Sequence, residues 1–457
     1  MEENIVGWMP EARVRVRIEI ADSSLVRDRR RKAMTQGIAS LLFAILFAGA
    51  LPTRALAAPV ARPLSFASVA QTALQDNLQL RAAAFDVAVA QAQLAQARGA
   101  KLPQANLSGS YTRNQEQPLL ADPNVYAASL VVSYPLSTGG NLEARIRLAE
   151  ANVRGAQATY ERTKQQIVFA AEQTYLQALL AAESVAAAQR SLAVANESLR
   201  VAQVRFSAGA GARLDVLQAE VAVASAEQAL VQAQTGVGNA QANLNALINL
   251  PLDTPLALTD TLTPRPVDIA LADAIARALR ERADLAALRN RIEAAQAGID
   301  VAQSGGAPTF GFGAGYALSN ANGLSTTIFG GWLVTLGVTL SVFDGGITQA
   351  QIREAQLQLE QLKLREAQIR QQVELDVRVA ALALQRAAGE LTAATKAVEQ
   401  GRESVRLATV RYQSGVGTSL ELLTAQSNLA LAEQSLASAR FNQNAARIQL
   451  ILAMGSQ

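Results

Sequence analysis

Two acids, Asp215 and Glu421, and two arginines, Arg205 and Arg411, occupy matching places around a pair of glycine-bearing turns, Gly209-Ala210-Gly211 and Gly415-Val416-Gly417. These are the side chains whose types and spacing could do chemistry, and the chemistry open to them is narrow. The chain has no cysteine and no histidine, so thiol chemistry, zinc sites and Ser-His or Cys-His nucleophilic pairs are excluded. No acidic pair sits in a loop-rich pocket context, and neither an enzyme activity nor a metal or cofactor is expected. What remains is electrostatic and conformational. Thr418-Ser419-Leu420-Glu421 has the spacing of a capping box, and Asp215 stands where a helix N-terminus favours negative charge. The glycines suit helix reversals.

The elements that position these turns are long. Residues 141–206 hold no proline and one glycine, Gly155, and are rich in Ala, Leu, Gln, Glu and Arg. A helix of that length measures roughly 100 Å and must lie against another long element. A second apolar-periodic run, Leu214 to Leu247, returns after the turn, giving a long antiparallel helical hairpin. The hairpin recurs. Arg205-Phe206-Ser207-Ala208-Gly209 reappears as Arg411-Tyr412-Gln413-Ser414-Gly415, 206 residues on, as do Gly139-Gly140 in Gly345-Gly346 and Leu214-Asp215-Val216-Leu217 in Leu420-Glu421-Leu422-Leu423. Leu102-Pro103 through Tyr111 likewise matches Ala307-Pro308 through Tyr316, so the chain is a duplicated unit of about two hundred residues.

Each unit opens with a helix (near 66–100, with Ser65 or Ser68 as N-cap, and near 268–303) followed by segments of period two. Four strands are predicted, at 104–112, 127–136, 309–318 and 332–343. One face of these strands is apolar: Leu130, Val132, Tyr134, Phe310, Phe312, Trp332, Val334, Leu336 and Val338. The other is small or polar. Aromatics cluster in and beside the strands, and an apolar outer face with aromatic ends is the pattern of an outer-membrane barrel wall. Four strands cannot close, and a lipid-exposed edge is forbidden, so the wall must be pooled from several copies. In the helices, Ile352, Ala355, Leu359, Leu362, Ile369 and Val373 form one heptad seam, while Leu357 and Leu364 point to a second neighbour.

Composition closes other routes. Residues 1–57 carry nine basic and six acidic side chains and the remainder 32 of each, so the net charge of +3 lies wholly in the leader and argues for no nucleic-acid surface. That leader reads as a signal peptide: an arginine cluster (Arg27 to Lys32), an apolar stretch from Ile38 to Leu51, and Ala55-Leu56-Ala57 before a mature start at Ala58, with Met34 as a second candidate start. The expected organisation is 1–57 signal peptide, 58–249 first repeat, 250–267 proline-bearing linker or equatorial segment, and 268–457 second repeat. The returning helix and the next one, stacked end to end, match one long helix in length, with the splice at mid-height.

In order and twofold recurrence these features resemble the TolC-like outer-membrane efflux proteins. The resemblance implies a mainly α fold with membrane β structure: a homotrimer whose twelve pooled strands form an outer-membrane barrel continuous with a periplasmic helical barrel. It implies a passive exit duct of a tripartite efflux or type I secretion system, meeting outer-membrane lipid, a periplasmic adaptor and an inner-membrane transporter. Arg205, Gly209, Gly211, Arg411, Gly415, Val416 and Gly417 then stand at adaptor-docking tips, and Asp215 and Glu421 at the periplasmic entrance. The family's best-known member has an aspartate where Thr424 stands and an arginine at Gly417. The alternative is a periplasmic coiled-coil scaffold or adaptor, which needs helical hairpins but no alternating strands; a self-sufficient porin would need many strands in one chain.

Overall fold

The computed structural model describes residues 62–114, 123–265, 267, 269–320 and 328–456. The leader reading, with its cleavage site, lies outside them. Two helices of 67 residues dominate, α3 (Asn141–Ser207) and α7 (Ile347–Gln413). Neither contains proline, and each begins just after a glycine with positive φ, Gly140 and Gly346, which turns the chain out of the preceding strand. Each reverses into a helix of about half its length: α4 (Arg213–Leu247) and α8 (Ser419–Met454). The upper half of α3 is covered by α2 (Leu78–Gly99) and α6 (Ala283–Gln303), and α6 also packs on α7. The seam read on α7 faces inward, with Leu359 and Val373 buried, whereas Leu357 and Leu364 are exposed.

The opening helix of each unit is not continuous, contrary to the sequence reading. The first breaks at Asn77 into α1 (Phe66–Asp76) and α2, and the second at Arg282 into α5 (Leu271–Glu281) and α6. Asn77 is extended, and its side-chain oxygen accepts the Gln79 and Leu80 N–H groups at 2.9 and 3.1 Å, so it caps α2. Its amide donates to the Leu247 carbonyl at 2.9 Å, pinning the break to the end of α4. Arg282 is 5% exposed and bridges Asp284 and Asp376 at 2.5 and 2.7 Å. Ser65 is the N-cap of α1, in a reciprocal capping box with Ser68.

The segment 250–267 is more than a linker. Leu256–Leu258 (β4) pairs in parallel with Arg62–Leu64 (β1), a strand the sequence did not reveal. This small sheet sits on the equatorial core, where Leu64, Val69, Tyr175, Leu244, Ile248 and Leu256 are buried together. The Tyr175 hydroxyl donates to the Leu64 carbonyl and the Asp260 carboxylate, both at 2.9 Å, and Asp260 also accepts the Phe66 N–H at 2.7 Å. Burial, with the Asp260 carboxylate beside it, pushes the Tyr175 phenol up to about 12. One tyrosine thereby ties both chain segments of the equator to the long rod.

The four remaining strands form one antiparallel sheet in the order β2 (Gln104–Arg113), β3 (Asn124–Ser137), β5 (Thr309–Ser319), β6 (Phe329–Thr339). β6 starts three residues before Trp332 and ends at Thr339, so Leu340, Val342 and Phe343, read as strand, lie beyond it. A register shift between Pro135 and Ser137 ends the regular alternation of β3.

Candidate functional site

The sheet puts all nine predicted lipid-facing residues on one surface. Directly paired residues in an antiparallel sheet share a face. Leu107 pairs with Leu130, Leu130 with Tyr316, and Tyr316 with Trp332; Val132 pairs with Ala314 and Ala314 with Val334; Tyr134 pairs with Phe312 and Phe312 with Leu336; Phe310 pairs with Val338. Tyr316 and Trp332 pack edge to face with centroids 5.1 Å apart, and Tyr111 and Tyr126 lie at the same spacing near the far end. On the opposite face stand Gln104, Asn106, Ser108, Ser129, Ser133 and Thr335, with glycines along β5. No ionisable side chain occupies that face among the described strand residues. The edges β2 and β6 have no strand partner among the described residues.

At the other end, the two turns come together. Gly209 and Gly415 adopt φ of +72° and +79° in open space, the left-handed position that closes a helix. Gly211 and Gly417 are required for a different reason. A Cβ there would lie 3.1 Å from Cβ of Arg205 and 2.9 Å from Cβ of Arg411, against each helix's own last turn. All four glycines thus have a local cause. Val416, at the apex of the second turn, is 73% exposed.

The charged residues cross between turns. The Arg205 guanidinium donates to the Tyr412 carbonyl and lies over the Tyr412 ring, 4.6 Å from its centroid. Tyr412 is buried, and that burial, with Asp215 nearby, raises its phenol above the ordinary value. Ser419 donates its hydroxyl to the Asp215 carboxylate, which also accepts the Ala212 N–H at 3.3 Å. Glu421 takes Arg411 instead, at 3.5 Å. Arg213 stands two residues before Asp215 in the sequence, the nearest cation along the chain. The structure sets Arg213 over the Phe206 ring at 5.9 Å and makes Arg411 the cation of the second turn. Ser419 and Tyr412, which complete the junction, carry no role in the sequence pattern, where Ser419 is only part of a capping-box run and Tyr412 only the counterpart of Phe206.

The family model described as outer membrane efflux protein matches this chain twice, over residues 69–250 and 274–456. The outer membrane efflux protein BepC of Brucella suis is 25% identical over 398 residues, covering 84% of this chain and 83% of its own. The toluene efflux pump outer membrane protein TtgF of Pseudomonas putida is 28% identical over 398 residues, with 84% and 82% covered. Among solved structures, the Campylobacter jejuni CmeC outer membrane channel superposes with a TM-score of 0.75 at 18% identity, with 85% of each chain covered.

Proposed function

The chain belongs to the outer membrane efflux protein family, and from that membership we propose that it works as a trimeric exit duct whose lower end docks a periplasmic adaptor and, through it, an inner-membrane transporter. It is an outer-membrane channel with a helical part in the periplasm, of a family of channel proteins. The observation that carries the assembly is the sheet: among the described residues it has four strands, an apolar face, and two edges without strand partners, all borne on the 67-residue rods. In lipid, unsatisfied edge groups each cost several kcal/mol, so closure by further copies is the way out. Three copies give twelve strands. Native mass spectrometry of the detergent-extracted protein tests this: a trimer is expected, and a monodisperse, membrane-inserted monomer would overturn it.

The tips are the adaptor-facing end and the entrance in this reading. Val416 offers an apolar apex, and Ser419–Asp215 and Arg205–Tyr412 tie the two hairpins to each other. Opening the mouth means releasing those ties. Val416→Asp introduces no backbone strain, since Val416 is not in the left-handed region. It should abolish export while leaving trimer yield unchanged; full export by this variant would remove Val416 from the docking surface.

A further inference from the structure

The duplication has a consequence for the contacts one chain cannot make. Because the units repeat at 205–206 residues, every contact between them has a counterpart obtained by exchanging the units. Some counterparts exist within the chain. The β2–β3 pairing, Gln104 with Ser133, becomes the β5–β6 pairing, Thr309 with Thr339. Others have no place there. The β3–β5 pairing maps onto β6 against β2, the two open edges, and the α3–α6 and α3–α8 contacts map onto α7 against α2 and α7 against α4, neither of which packs substantially within the chain. The surfaces left over are the right kind. On α4, Leu214, Leu217 and Val221 are exposed at three- and four-residue spacing, with Val231 exposed ten residues further on; Phe85 and Val89 are exposed four apart on α2, and Leu357, Leu364, Leu407 and Val410 are exposed on α7.

Building on the trimer reading above, we infer that α7 of one copy packs on α4 of the next in the register of the internal α3–α8 contact, fixed by polar pairs that the duplication specifies. Arg190–Glu433, at 3.5 Å, becomes Lys396 with Glu227 of the next copy. Ser198–Gln426, at 3.0 Å, becomes Ser404 with Glu220, and Ser184–Gln434, at 3.4 Å, becomes Glu390 with Gln228. At the tips the α4–α8 contact Asp215–Ser419 becomes Glu421 of α8 with Arg213 on α4 of the next copy. The chemistry is complementary in all four, though the residue types have changed: cation with acid, hydroxyl with acid, acid with amide, acid with cation. Lys396, Glu220, Glu227 and Arg213 are exposed, and none has an ion-pair partner among the described residues. The same exchange sends the Arg205–Tyr412 tie to Arg411 and Phe206 of the next copy. Head-to-tail contacts of this kind close into a ring when the rotation between copies closes, as the trimer reading requires. Each half of the chain thus supplies the neighbour that its own other half supplies internally.

The chain's lack of cysteine makes the test direct. In the full-length protein in membranes, Lys396→Cys with Glu227→Cys should be joined by a short bis-maleimide into covalent dimers and trimers on denaturing gels. Arg190→Cys with Glu433→Cys, the internal equivalent, should remain monomeric. Lys396→Cys with Glu220→Cys, two turns out of register, should crosslink at least tenfold less. Native mass spectrometry of each variant runs in parallel. A trimer by mass with no ladder at 396/227, or an equal ladder at 396/220, would overturn the inferred register and leave the trimer standing. A monomer by mass would overturn the assembly reading itself.

Discussion

The two halves of the chain solve one local problem in two ways, most visibly where each long helix turns back. Residue for residue, Ala212 corresponds to Thr418 and Asp215 to Glu421. In the first turn the N-cap has no polar side chain, and the Asp215 carboxylate reaches back to the Ala212 N–H at 3.3 Å. In the second, the Thr418 hydroxyl accepts the Glu421 N–H at 3.1 Å, and the Glu421 carboxylate pairs with Arg411. Each half thus keeps the opposite part of a capping box. The equatorial breaks diverge the same way: Asn77 breaks and caps by local backbone hydrogen bonds, Arg282 by ion pairs to Asp284 and to the distant Asp376. The backbone plan is common to both halves while the chemistry holding it differs, so equivalent substitutions should not have equivalent effects.

The equator should show the largest difference. Arg282→Ala leaves Asp284 and Asp376 without their partner, and breaking a buried pair costs about 3–5 kcal/mol. Asp376 is 34% exposed, which places this pair near the low end of that range. Asn77→Ala loses a cap and should cost about 1–2 kcal/mol. Chemical denaturation in detergent compares them, and equal losses would erase the distinction. The pH response carries the same signature. Burial alone would raise Asp284, but its hydrogen bonds and charge contact with Arg282 outweigh this and hold it below the ordinary carboxylate value. Its contribution is therefore present above the unfolded-state pKa and lost as pH falls through the folded one. Arg282→Ala should flatten that acid-side loss, and Asn77→Ala should not.

The sheet comes next, and here the halves are expected to agree. Leu336→Arg on the lipid face should cost about 2–4 kcal/mol near the midplane. Thr335→Arg, one residue away on the inner face, should chiefly change conductance. Equal tolerance of both in folding assays would mean the faces were assigned wrongly.

This contrast also marks what the sequence made legible. Strand faces could be read because period two needs only neighbouring residues: Trp332, Val334, Leu336 and Val338 declare themselves. The heptad from Ile352 to Val373 did likewise for the α7 seam. The break at Arg282 could not be read, because no glycine or proline marks it and its cause, Asp376, lies 94 residues away. Asn77 did carry a signal, a good capping residue inside an otherwise helical run, but its effect depends on Leu247 receiving its amide. The β1–β4 pairing joins three residues to three across nearly two hundred, too short for any pattern. At the tips the acids and arginines were visible, but their pairing depends on how two hairpins meet.

Exchanging the caps should produce smaller and opposite shifts. Thr418→Ala removes the hydroxyl half of the second cap and should cost about 1 kcal/mol. Ala212→Thr would complete a capping box with Asp215 and should stabilise by a few tenths to about 1 kcal/mol. Hydrogen exchange at the first amides of α4 and α8 reads both, and destabilisation by Ala212→Thr would show that the first turn has no room for a hydroxyl.

The smallest expected effect is on ion selectivity at the mouth. In a trimer, three copies of Asp215 and of Glu421 surround one axis, while the inner face of the sheet brings no charge from its described strand residues, so selectivity would be set at the tips. The two acids differ in what neutralises them. Glu421 lies against Arg411 and, in the inferred ring, faces Arg213 of the next copy, whereas Asp215 is held by neutral donors, Ser419 and the Ala212 N–H. A weakly cation-selective pore, blocked by multivalent cations, is expected. Asp215→Asn should move the reversal potential toward zero more than Glu421→Gln does, and both shifts should shrink at high salt. Arg411→Ala should move it the other way, by exposing the Glu421 carboxylate. Single-channel recordings under a salt gradient decide among these. Equal shifts from the two acids would show that neither Arg411 nor Arg213 of the next copy neutralises Glu421 in the assembled pore, and no shift from either would confine both carboxylates to capping and bracing the helices.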